Sequence, residues 1–332
     1  MSNTFFSKLS VRIAAGLGTI YLLWGSTYLG IKYAIATIPP YFMSSSRFIV
    51  AGLILYAWAV LKGAERPNLR HWRSAAIVGG FLLLGGNASV AWAEQHVPSS
   101  IASLIIATMP LWMVMMDWLW QKQERPSGRV FAGIALGFVG IALLVRPQNS
   151  GELMAFEPVG IFALMLAAIL WSTGSLYSRN AYLPKSKLQG IGMQMIAGGG
   201  MVFLAGLARG EWAEFSFANI SQSSFLAWLY LLIFGSMIGF SCYIWLLKVA
   251  PADRVSTYAY VNPVVAVFLG WLFLDEPVTT QTAIASAIII LSVVLIINRK
   301  RSSAPQVEAV KPAVVPVKIS SRKPVQLEEL EP

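Results

Sequence analysis

Trp24, Thr27, Arg47, Asn87, Thr108, Trp171, Ser175, Tyr258 and Asn262 are the residues of this 332-residue chain with chemistry to offer, because each interrupts a long apolar run. Polar groups carried into hydrocarbon cost free energy, so those retained there are the first candidates for function. Their chemistry is recognition rather than bond making. The amides of Asn87 and Asn262 and the hydroxyls of Thr27, Thr108, Ser175 and Tyr258 can exchange hydrogen bonds with a solute. The indoles of Trp24 and Trp171 lie too deep for an interfacial belt and can wall an apolar or cationic group. Arg47 can attract a carboxylate or a phosphate. Each has a plainer role as well. A hydroxyl can hold two helices together, a tryptophan can pack a core, and Arg47 or the nearby Lys32 can snorkel outward or cap carbonyls. Pro110 and Pro263 fall near the centres of their runs, where a proline removes one main-chain hydrogen bond and frees a carbonyl.

Other chemistries lack their groups. Glu94, Asp117, Asp253, Asp275 and Glu276 fall near the ends of runs, so no carboxylate is expected at mid-depth and no proton relay of the usual kind. His71 and His96 also lie at run ends, where solvated histidines are expected. No nucleophile with a neighbouring base, no metal-ligand cluster and no Walker sequence is present, so neither an enzyme, a metal site nor a cofactor is expected. The lone Cys242 reads as a small buried hydrophobe.

The elements that must position these residues follow from composition. The chain is 56% hydrophobic and 12% charged, with mean hydropathy +0.64, whereas soluble domains carry about 25% charged residues. Its apolar runs approach the ~20 residues needed to cross a bilayer as a helix. Ten spans are expected, at 12–36, 41–61, 73–95, 99–121, 128–146, 158–179, 187–207, 223–248, 253–274 and 279–298. The first resembles a signal peptide only superficially: it is too long, and Lys32 precedes the supposed cleavage site. Of the 25 Lys and Arg residues, 21 fall on one side of the alternating spans, two on the other, and Lys32 and Arg47 within helices. That bias predicts cytoplasmic termini and explains the net charge of +10 without a nucleic-acid partner. Residues 299–332 read as a disordered cytoplasmic tail.

The spans also repeat. Trp24 and Trp171, and Arg47 and Gln194, are each 147 residues apart, and Pro98/Pro110 match Pro251/Pro263 at 153. Five spans per half would invert the second half relative to the first, the arrangement of many secondary transporters. Matched prolines point to a binding site between the halves.

At the level of motifs, WGSTYLGIK at 24–32, Pro39-Pro40 and SRFIVAG at 46–52 resemble the opening of the EamA family of the drug/metabolite transporter superfamily. QHVPSSIASLIIATMPLW at 95–112 and KVAPADRVSTYAYVNPVVAVFLGWLFLDEP at 248–277 are similar to that family's fourth and ninth helices. The resemblance covers residues 12–298. It implies an all-α polytopic membrane protein of ten transmembrane helices, built as two inverted five-helix EamA repeats (12–146 and 158–298) around a central cavity. It also implies traffic of small metabolites, typically efflux of amino acids or related compounds across a bacterial inner membrane. The second half departs from the first, with WSTGS for WGSTY and Gln194 for Arg47.

The expectation is a secondary transporter in the lipid bilayer, exporting a small-molecule substrate by alternating access. The substrate would sit between the repeats, and Arg47 would bias the outer mouth. A non-transporting membrane sensor or scaffold is the alternative. Coupling stays open between facilitated exchange and proton antiport, and a homodimer is compatible with the sequence.

Overall fold

The computed structural model describes residues 2–121, 127–145, 157–213, 215–250, 255 and 257–297. The tail at 299–332 and the loop residues Lys122, Arg125, Arg146, Asp253 and Arg254 lie outside them. The described residues contain no β-strand, as full-length apolar runs dictate: in hydrocarbon a helix satisfies every main-chain group within its own segment. In chain order the helices are α1 (Ser2–Ala34), α2 (Pro40–Leu61), α3 (Leu69–Gly79), α4 (Ser89–Ala93), α5 (Ser99–Ile106), α6 (Met109–Gln121), α7 (Gly128–Val145), α8 (Pro158–Asn180), α9 (Lys187–Ala208), α10 (Gln222–Tyr230), α11 (Ser241–Val249), α12 (Tyr258–Leu274) and α13 (Thr280–Ile297). Among the described residues, seven continuous helical stretches are long and apolar enough to cross a membrane. Three shorter apolar helices, Gly128–Leu143, Val261–Leu274 and Thr280–Ser292, accompany them.

The packing is inverted relative to a water-soluble protein. Leu22, Leu53, Trp58, Phe162, Leu204 and Phe268 face outward, while Arg47, Glu94, Gln189, Gln194 and Asn262 are buried. An apolar exterior this extensive needs lipid to cover it. Glycines bring the central helices together. A Cβ on Gly52 of α2 would lie 2.8 Å from the Ile196 main-chain nitrogen of α9, and one on Gly198 of α9 would lie 2.8 Å from the Gly79 carbonyl of α3. Both contacts require glycine, which lets helix backbones touch without side chains between them.

Two interruptions of the α-helical pattern shape the interior. Gly80–Ala88 joins α3 to α4 as a π-helical segment, and Leu231–Phe240 joins α10 to α11 in the same way. Such wide turns are commonly found at functional sites, because they redirect the side chains that follow. The other break is in the span read at 99–121. It divides into α5 and α6 at Ala107–Thr108, with Pro110 in the first turn of α6, where its missing N–H costs little. Pro263 lies within α12.

Candidate functional site

An interior cavity is enclosed by Trp24, Thr27, Tyr28 and Ile31 of α1, Arg47 of α2, Gly86 and Asn87 of the first π-segment and Val90 of α4. Ile106 and Met109 flank the α5–α6 break, and Ala167, Trp171, Gly235, Tyr258 and Asn262 complete the wall. Its volume is about 70 Å³, enough to admit water. Seven of the nine residues singled out from the sequence as polar or aromatic candidates therefore share one chamber.

The two tryptophans are each seated on a glycine of a π-segment. A Cβ on Gly239 of the second π-segment would lie 2.5 Å from Trp24 Nε1, and one on Gly86 of the first would lie 2.5 Å from Trp171 Cε3. Each indole occupies the space that a missing side chain leaves. Trp24 Nε1 donates to the Gly235 carbonyl at 3.3 Å. Its ring meets Trp171 edge-on at 5.5 Å and Tyr258 edge-on at 5.3 Å, and Tyr243 lies at 4.9 Å. Aromatic edges presented to faces form a rigid apolar wall.

The same chamber holds a charge. Arg47 is 2% exposed. One terminal nitrogen, Nη1, donates to Ser236 Oγ at 3.3 Å, the other donates to Asn87 Oδ1, and Nε has no partner. The guanidinium also lies 4.3 Å from the centre of the Phe48 ring. Its hydrogen bonds thus reach only neutral oxygens, so the positive charge at the cavity is not neutralised by a direct ion pair. Asn262, with its amide turned to suit its surroundings, donates to the main-chain oxygens of Tyr21 and Tyr258 at 3.2 Å each. Thr27 donates back to the Trp24 carbonyl at 2.7 Å, and the Tyr258 hydroxyl points at Met109 Sδ, 3.4 Å away.

Four sequence candidates stand behind the walls. Thr108 donates to the Ile105 carbonyl at 2.6 Å and accepts from Trp112 Nε1 at 3.2 Å, which steadies the α5–α6 break. Ser175 bonds the Trp171 carbonyl at 2.6 Å and the Tyr243 hydroxyl at 2.7 Å. Pro110 and Pro263 do not line the cavity, although their neighbours Met109 and Asn262 do; Pro263 instead edges an apolar groove on α12. Lys32 caps a carbonyl, donating to the main-chain oxygen of Glu94 at 2.5 Å. Gln194, the repeat counterpart of Arg47, is fully buried, its amide has no partner, and it does not reach the cavity.

Tyr28 and Tyr243 escaped the sequence reading. Tyr243 is fully buried and joins both tryptophans, accepting from Trp171 Nε1 at 3.2 Å. The available signal was a phenol inside an apolar run, the same signal that singled out Tyr258. Carboxylates near span ends also proved less solvated than their positions suggested. Glu276 accepts from the main-chain nitrogens of Ser99 (2.8 Å) and Ser100 (3.0 Å) and caps α5. Glu94 is wholly buried. Among the described residues, no group of three His, Cys, Asp or Glu side chains is placed to hold a metal ion.

A bundle whose described residues are helical, with an apolar exterior and a small interior chamber lined by a cation, amides and aromatic rings, is a polytopic membrane protein. The pattern of the EamA-like transporter family matches residues 14–146 and 158–298, and the chain belongs to that family. It is 36% identical to the inner membrane transporter YedA of Escherichia coli (strain K12) over 302 residues, covering 91% of this chain and 94% of that one. It is 24% identical to the transporter YvbV of Bacillus subtilis (strain 168), over 87% of this chain and 92% of the relative. The chloroplastic WAT1-related protein At3g02690 of Arabidopsis thaliana is 25% identical over 83% of this chain and 67% of its own length. A crystal structure 21% identical in sequence shares the fold, with a TM-score of 0.60 over 86% of this chain and 96% of the other. The chain is a multi-pass membrane transporter and not an enzyme.

Proposed function

We propose that this transporter exports small anionic or zwitterionic metabolites, amino acids or their relatives, across the inner membrane by alternating access. Counting the three shorter apolar helices as spans gives ten, arranged as two inverted five-helix repeats at 12–146 and 158–298. Both termini are then cytoplasmic, an orientation that the Lys and Arg distribution supports. The crossed packing supports the repeat. Trp24 of the first half rests on Gly239 in the π-segment of the second, and Trp171 of the second half rests on Gly86 in the π-segment of the first.

The single observation that carries the substrate reading is Arg47. A buried guanidinium with only neutral hydrogen-bond partners is costly. A substrate carboxylate would complete it with a charge-assisted bidentate pair. Asn87, Thr27 and Asn262 would bond the polar remainder, and Trp24, Trp171 and Tyr258 would enclose the apolar part. A chamber of about 70 Å³ favours a small solute. Flexing at the α5–α6 break and at Pro263 would open the two sides in turn.

The test is resistance. Cells overexpressing the protein should tolerate at least one toxic amino-acid analogue better than cells expressing Arg47→Gln at equal level. Equal tolerance across the whole panel would remove the amino-acid reading.

A further inference from the structure

Glu94, which the substrate site does not use, is the most unusual ionisable group in the protein. It follows α4 directly and has no exposed surface. Neither carboxylate oxygen has a hydrogen-bond partner. Lys32 comes within reach but donates to the main-chain oxygen of Glu94, 2.5 Å away, and not to its carboxylate. The other charged or titratable groups around it are Arg47 of α2, Glu276 after α12 and Tyr28 of α1. One residue beyond Gln95, His96 is paired with Glu157 at 2.7 Å, and the Arg209 guanidinium lies 5.2 Å from the centre of the Trp92 ring.

An ionised carboxylate without a donor is very expensive in an apolar interior, whereas the neutral acid is affordable there. The arrangement with Lys32 on the carbonyl therefore suits a protonated Glu94. Loss of the proton creates an anion close enough to the Lys32 ammonium to be favoured by its charge. The consequence reaches the cavity in one turn on each side. Lys32 is four residues from Tyr28 on α1, Glu94 is four residues from Val90, and both Tyr28 and Val90 line the chamber.

We propose that Glu94 is a proton-binding site whose charge state, read by Lys32, couples proton movement to opening of the substrate chamber. Opening of the chamber far enough to wet the end of α4 lets water supply the proton to a Glu94 carboxylate oxygen and receive it back on release. On release the Lys32 ammonium moves from the carbonyl to the carboxylate, and the end of α1 shifts against α4. This rests on the transport reading above and adds its energy source.

Infrared spectroscopy of the full chain in lipid reads the group directly and needs no substrate. A neutral-acid carbonyl band should be present at neutral pH, fade as pH rises while the fold persists, and be missing from Glu94→Gln but present in Glu276→Gln. Glu94→Asp should keep a titrating band and guards against misfolding of the amide variant. A band unchanged by Glu94→Gln, or one that never titrates, overturns the proposal. In vesicles loaded with labelled L-alanine, a pH gradient should accelerate efflux through the native chain. Glu94→Gln should exchange alanine without any response to the gradient, and a response equal to native would refute coupling at this residue. If the native chain moves no alanine, alanine is not its substrate, and the infrared titration still decides the state of Glu94.

Discussion

Gly239→Ala tests how the chamber is built. The added Cβ would sit 2.5 Å from Trp24 Nε1, 3.0 Å from its Cδ1 and 3.0 Å from the Phe234 carbonyl. Ordinary contact begins near 3.4 Å, so the indole must retreat by about 1 Å, either into the chamber or against its packed neighbours. Overpacking of this kind costs about 1–3 kcal/mol. If the strain is relieved by rotating Trp24 into the chamber, the same figure appears as a loss of substrate affinity of about 5- to 150-fold. If it is absorbed by the fold, the midpoint of thermal unfolding in detergent falls instead. Gly86→Ala, whose Cβ would meet Trp171 Cε3 at 2.5 Å, should behave alike, because the crossed packing makes the two sites equivalent. Gly200→Ala on α9 and Gly18→Ala on α1 are the controls. Neither Cβ meets any atom within 4 Å, so each should be neutral or stabilising by up to about 1 kcal/mol through helix propensity. The assay is thermal unfolding alongside transport KM for all four variants. The reasoning is refuted if Gly239→Ala and Gly86→Ala match the controls in both measurements.

Other consequences follow from single contacts. Tyr243→Phe removes the acceptor of Trp171 Nε1 and the partner of Ser175 Oγ. It should cost about 1–3 kcal/mol, and a thermal double-mutant cycle with Ser175→Ala should show coupling and not additivity. Thr108→Val strands Trp112 Nε1 and should lower stability by about 1–3 kcal/mol with little change in substrate selectivity, measured as relative KM across solutes. Glu211, in the connection after α9, accepts from the main-chain nitrogens of Tyr41 (3.0 Å) and Phe42 (3.2 Å) at the start of α2. Burial raises its carboxyl above the usual carboxylate range, outweighing those donors and Arg209. A carboxyl with a raised folded-state value holds its proton better folded than unfolded. Its contribution to stability is therefore full at low pH and is lost as pH rises from the unfolded value through the folded one. Glu211→Gln should flatten that part of the stability–pH profile; an unchanged slope would assign it elsewhere.

The helices were legible because a membrane demands long apolar runs, and 41–61, 158–179 and 187–207 agree with α2, α8 and α9 to within a residue at either end. Residues whose side chains had no better use than the chamber were legible too: Arg47, Asn87, Asn262 and the paired tryptophans. Thr108 and Ser175 illustrate the limit, since a helical hydroxyl can satisfy itself on a carbonyl of the preceding turn and leave the cavity. Sequence spacing cannot distinguish the two outcomes. The π-segments were illegible for a related reason. Gly80–Ala88 and Leu231–Phe240 are as apolar as the helices they join, so no pattern of residue types marks the wide turn. Glu94 lies at the end of a helix, as its position indicated, yet its burial depends on helices distant in sequence, α2 and α8, that pack on α4, which no local pattern encodes.

The central claim is that a solute crosses through the chamber beside Arg47. Its most direct measurement is efflux from proteoliposomes loaded with a pool of isotopically labelled amino acids, followed by mass spectrometry of the external medium. At least one solute should leave the native-protein vesicles faster than protein-free vesicles, and Arg47→Gln should slow that solute about tenfold or more, the loss of one charge-assisted pair. No solute leaving faster than from protein-free vesicles, or Arg47→Gln moving it at the native rate, would contradict the account.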